Sequence, residues 1–122
     1  MLSNDVTRIE SEDKEMTTEE MNAQAMEIIV NAGNGRTLLN KALEALYEGD
    51  EELYNSHMEE AKKEMTAAHA AQTKVLQSTI TDEGVKPNIL FTHAQDTLMT
   101  IMSEMNIAKH LAKIVRMIKE SK

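Results

Sequence analysis

No cysteine occurs in the 122 residues, which excludes disulfide staples, thiolate metal sites and a cysteine nucleophile. Any thiol chemistry the chain takes part in must sit on a partner, and the expected compartment is the cytoplasm. Aromatics are almost missing as well: Tyr47, Tyr54 and Phe91 are the three. The core must then be aliphatic, and ten methionines, one proline and many Leu, Ile and Ala residues make a helical composition. Basic residues are short, 13 against 21 acidic, for a formal charge of −8. That balance lacks the cationic footprint of a nucleic-acid binder and disfavours anionic membrane surfaces. No run approaches the roughly 18 apolar residues of a membrane span, and MLSNDVTRIESEDKEM has no basic-then-apolar signal pattern. A chain of this length fits one domain and buries about two-thirds of its unfolded surface.

Residues 1–16 carry five acids and two bases, with little apolar content beyond Leu2, Val6 and Ile9 before Met16, and are read as a solvated, disordered tail. Residues 17–122 form the domain. Thr17 stands three residues before Glu20, the spacing of a helix-starting cap. Helix 1 follows, with Met21, Ala25, Ile28, Ala32, Gly35, Leu39, Ala42 and Leu46 on alternating steps of four and three. Gly49 supplies a left-handed terminus and Asp50 caps the next segment. Helix 2 is predicted from Glu51 to Ser78, its seam (Tyr54, Met58, Ala61, Met65, Ala68, Val75) interrupted by Gln72. Thr81 to Lys86 is a turn, and Pro87 suits the first position of helix 3. That last helix carries Ala94, Leu98, Ile101, Met105, Ala108, Ala112 and Val115 on its seam.

Three such helices joined by short connections give an all-α, antiparallel up-down-up bundle. Met99 and Met102 on helix 3, and Ile29 and Val30 on helix 1, lie off the seams, and this surplus apolar surface predicts a homo-oligomer.

The stretch Asn31 to Thr37 holds Gly33 and Gly35 but is not a phosphate loop: no strand precedes it, and the third glycine and the Lys-Ser/Thr pair are missing. Two glycines inside a helix, each costing about 1 kcal/mol relative to alanine, point instead to close approach of another group. The four histidines lack the Glu-x-x-His and His-Glu-x-x-His spacings of helical metal sites. On helix 3, His93 and Asp96 share a face about 60° wide, with Thr97 and Thr100 beside them. A neutral imidazole there can act as a nucleophile through one nitrogen. The residues alone favour a structural hydrogen bond or a solvated pair over a functional histidine.

The order His93-Ala94-Gln95-Asp96 followed by Leu98-Met99-Thr100 resembles the active-site signature of the IIA components of the bacterial phosphotransferase system, in the lactose, cellobiose and N,N′-diacetylchitobiose group. Ala68-His69 with Gln72-Thr73-Lys74, and Ile28-Ile29-Val30-Asn31-Ala32-Gly33 with Arg36, resemble the same family, so the likeness runs from about Thr17 to Lys119. It implies a three-helix subunit assembled as a homotrimer, a nine-helix bundle. It implies that His93 accepts a phosphoryl group from HPr as a tele-phosphohistidine and passes it to a cysteine of the cognate IIB component. The membrane IIC component then imports the sugar, a β-linked disaccharide. Asp96 is implied at the trimer axis, where three carboxylates hold one divalent ion, Mg²⁺ or similar. Gln95, Thr97 and His69 are candidates for a supporting role. Thr97 replaces the family's usual histidine, and a threonine hydroxyl carries no positive charge. The competing readings are a noncatalytic helical interaction or regulatory module, and a metal-storage bundle.

Overall fold

The computed structural model describes residues 16–121; the tail reading therefore falls outside the described residues except at Met16, which packs against the core. Three helices follow in order: α1 (Thr18–Tyr47), α2 (Glu51–Thr81) and α3 (Ile89–Glu120). At 1.5 Å per residue each is roughly 45–48 Å long.

Local chemistry sets their ends. Thr17 Oγ1 accepts from the Glu20 amide at 3.0 Å, and Asp50 Oδ1 accepts from the Leu53 amide at 3.0 Å. Gly49 adopts φ +87°, the left-handed conformation that closes α1 at no steric cost. Two boundaries differ from the sequence expectation. Helix α2 continues past Ser78 to Thr81, because Ser78, Thr79 and Thr81 turn their hydroxyls back onto the carbonyls of Lys74, Leu76 and Gln77. Helix α3 begins after Pro87 rather than on it: Asn88 is the cap, accepting from the Phe91 amide at 2.8 Å. Its side-chain amide also donates to Asn22 Oδ1 of α1 at 2.8 Å, so one residue both starts α3 and ties it to α1.

Cross-links show the relative direction of the helices. Asn22 meets Asn88 and Arg36 meets Glu104, so α1 and α3 run parallel. Glu51 at the start of α2 pairs with Arg116 near the end of α3, so α2 runs against both. The up-down-up order stands.

The core is the predicted seams brought together. Ile28, Val75, Phe91, Leu98 and Ile101 are its largest fully buried side chains, and Gln72 on the α2 seam is buried as well. At Gly35 the helices close up: a Cβ built there would lie 2.7 Å from Met65 Sδ. Gly33 has nothing within 4 Å, so only one of the two glycines is explained by packing within the chain, and the helix runs through both unbroken. Ile29, expected as surplus surface, is half-buried against the core. It shares a heptad line with Asn22 and Arg36, both bonded to α3, and that line faces the neighbouring helix. Val30, Met99 and Met102 do remain exposed.

Candidate functional site on helix α3

His93 lies on the second turn of α3 and its side chain is exposed. The turn is anchored from within by buried Phe91, Ala94 and Leu98 and from its start by the Asn88 cap. Rigid backbone thus holds an accessible imidazole.

Asp96 is also exposed, one turn on. The threonines beside the pair do not reach for the ring. Thr97 Oγ1 donates to the His93 carbonyl at 2.9 Å and Thr100 Oγ1 to the Asp96 carbonyl at 2.7 Å. Each hydroxyl proton is spent on the helix backbone, which leaves the hydroxyl oxygens as acceptors and the carboxylate of Asp96 clear of both. Gln95 is half-buried and lies about 160° round α3 from His93, in keeping with a packing role.

His69 is exposed on α2 and lines a cleft with Met102, Asn106 and Lys109 of α3. Those α3 residues lie on roughly the opposite side of the helix from His93. The fold brings Asp96 and Thr97 next to His93, and sets His69 elsewhere within the same chain.

The exposed face of α3 holds a second seam that the sequence reading passed over. Ile107, Leu111, Ile114 and Ile118 are each 45–55% exposed and recur on steps of four, three and four. Asp96, Thr100 and Ser103 continue the same line toward the helix start, Asp96 falling about 20° from Ile107. The signal was present in the spacing; it was hidden because the stronger, buried seam used the same period. Among the described residues of one chain, no three His, Asp or Glu side chains are placed to hold a metal ion.

Comparison with known proteins agrees with the all-helical fold. Residues 23–116 match the family described as PTS system, Lactose/Cellobiose specific IIA subunit. The lichenan-specific phosphotransferase enzyme IIA component of Bacillus subtilis (strain 168) is 32% identical over 104 residues, 85% of this chain and 94% of that protein. The crystal structure of PtcA from S. mutans superposes with a TM-score of 0.79 at 37% identity, covering 83% of this chain and 99% of that one. The PTS cellobiose-specific enzyme IIA from Bacillus anthracis gives a TM-score of 0.76 at 28% identity, covering 88% and 97%. An all-helical chain whose residues 23–116 match the family belongs to the lactose/cellobiose-specific IIA family of the phosphotransferase system.

Proposed function

We propose that the chain is a phosphocarrier in which His93 takes a phosphoryl group from the phosphohistidine of HPr and yields it to a cysteine of the cognate IIB component. In the first transfer an imidazole nitrogen of His93 attacks phosphorus while the P–N bond to the donor breaks, its electron pair returning to the donor imidazole. In the second the IIB thiolate attacks and the P–N bond to His93 breaks, forming P–S. Little covalent help is needed, so catalysis is positioning and charge stabilisation shared between two protein surfaces. The observation that carries this reading is the exposure of His93 on a rigidly anchored turn of α3. The lack of cysteine agrees with the next acceptor being on another chain.

The same reading assembles three copies through the exposed stripe of α3. Half-exposed Ile107, Leu111, Ile114 and Ile118 supply the apolar contact, and Asp96 continues the line. Three carboxylates gathered at an axis would repel one another, and their hard oxygens suit Mg²⁺ or a similar divalent ion, which removes that repulsion. The exposed Asp96 carboxylate fits this use. No step of the transfer runs through the ion. The transported sugar, a β-linked disaccharide in this reading, is suggested by the lichenan- and cellobiose-specific relatives.

Incubation with phosphoenolpyruvate, enzyme I and HPr is expected to add one acid-labile phosphate per chain, and His93→Ala to abolish it. Chasing the labelled protein with a IIB component separates a carrier from a noncatalytic interaction module, which would pass nothing on. Normal labelling of the variant defeats the assignment.

A further inference from the structure

Between Asn22 and Arg36 of α1, and between Asn88 and Glu104 of α3, fixed charge nearly disappears. From Met21 to Gly35 the one Asp, Glu, Lys or Arg is Glu27, and from Asn88 to Ser103 it is Asp96. Over the whole chain such residues make up 28%, so both stretches are depleted. Glu27 lines the groove between α1 and α2 together with Lys74, and is therefore turned away from α3.

The two stretches lie side by side. Asn22 bonds to Asn88 at one end and Arg36 to Glu104 at the other, which frames a band about 21 Å long at 1.5 Å per residue. His93 and Met26 stand within it. Separations of 66 and 68 positions in the two bonded pairs put Met26 level with residues 92–94 of α3. Met26 is about 40° round α1 from Asn22, and His93 about 20° round α3 from Glu104. Arg36 and Glu104 meet where both are exposed, so Met26 and His93 flank the same solvent-facing seam, on helices whose axes pack about 8–10 Å apart. Met26 is itself 49% exposed, a large apolar side chain left in water beside the histidine.

Phosphoryl transfer between two proteins brings the reacting atoms to about 3–3.5 Å, so a donor that reaches His93 covers what stands beside it. On the α1 side that is Met26. A band whose one fixed charge is Asp96 gives a charged docking face little to pair with, whereas it gives an apolar face a contact that sheds water. An unbranched thioether also reshapes itself to different surfaces, which suits a histidine that meets a donor and an acceptor in turn.

We infer, on the phosphocarrier reading, that Met26 is the anchor on which the phosphoryl donor docks. The donor is a protein whose phosphohistidine is bordered by apolar side chains, one of which seats against the Met26 thioether. Met26 is a positioning residue: it touches no reacting atom and acts by holding the donor's phosphorus over His93.

Phosphorylation by phosphoenolpyruvate, enzyme I and varied HPr separates docking from chemistry. Met26→Asp is expected to raise the KM for phospho-HPr at least about tenfold with kcat within about twofold, and Met26→Leu to restore it. Methionine methyls labelled with ¹³C in the unaltered chain give a second readout. Unphosphorylated HPr should shift the Met26 signal saturably and leave Met58 and Met117 in place. Should Met26→Asp misfold, that shift decides. Sedimentation of Met26→Asp should match that of the unaltered chain. A Met26 methyl unmoved at about 1 mM HPr, or an unchanged KM, overturns the anchor while labelling of His93 still stands. Altered sedimentation of Met26→Asp overturns it too, since Met26 would then serve contacts between copies. If the unaltered chain takes no phosphoryl group from HPr, the phosphocarrier reading itself falls, a failure distinct from the others.

Discussion

Arg36 and Glu104 meet across 68 positions of sequence in a two-pronged ion pair, Nε to Oε1 at 2.8 Å and Nη2 to Oε2 at 3.1 Å. Together with the Asn22–Asn88 bond it fixes the register of α1 against α3, and therefore the height at which His93 stands beside α1. The two links differ in what they contribute. Both partners of the ion pair are about two-fifths exposed, so solvent screens it.

Arg36→Ala is accordingly expected to cost about 0.2–1 kcal/mol. Asn88→Ala, which removes a helix cap together with the bond to Asn22, is expected to cost about 1–2 kcal/mol. Urea denaturation of the two variants gives the order; a larger loss for Arg36→Ala would show that register depends on the ion pair instead.

Gly33 and Gly35, two residues apart, should respond to substitution with opposite sign. Gly33→Ala places a methyl in open space and is expected to raise stability by roughly 0.5–1 kcal/mol through helix propensity. Gly35→Leu drives into Met65 and the Ala61 carbonyl and should cost about 1–3 kcal/mol. Thermal unfolding read by circular dichroism checks both, and two changes of the same sign would contradict the packing described.

The exposed stripe of α3 predicts the assembly. Leu111→Lys with Ile114→Lys alters neither core cluster, so helicity should persist while the proposed trimer dissociates in sedimentation. An unchanged sedimentation coefficient would move the interface elsewhere. Asp96→Leu should keep the fold and abolish the metal dependence of the assembly, since it replaces charges with packing groups; native mass spectrometry showing the same ion count would remove the axial site.

Tyr54 predicts the alkaline limb of stability. Burial pushes its phenol above the usual value of 10.0, and the nearby Arg116 charge opposes that shift without cancelling it. A group whose folded pKa is raised contributes fully below its unfolded pKa and loses that contribution as pH climbs through the folded one. Stability should then decline above about pH 10, and Tyr54→Phe should flatten that decline in guanidinium titrations; an equally steep decline in the variant would assign it to other groups.

Much of this was legible in the residues. The steps of four and three from Met21 to Leu46 marked the buried face of α1, and Thr17, Gly49 and Asp50 marked ends that local hydrogen bonding fixes without help from the rest of the chain. Asn88 was overlooked in favour of Pro87 because the proline signal is strictly local, whereas the asparagine earns its place partly by bonding to Asn22, 66 positions away. The one-turn spacing put His93 and Asp96 on one face, while the roles proposed for them came from the resemblance of the surrounding stretch to a family. The apolar line from Ile107 to Ile118 was readable too, but was masked by a second seam of equal period on the same helix.

What the sequence determined by itself is periodic or adjacent: three amphipathic helices, their caps and turns, and a histidine–aspartate pair on one face, because a helix converts spacing directly into direction. The tertiary structure alone decided which faces meet. It closed Gly35 on Met65 while leaving Gly33 open, turned His69 away from His93, and set Met26 level with His93 across the seam between α1 and α3. Those relationships join residues tens of positions apart, and no local periodicity encodes the rotation and register at which two helices pack.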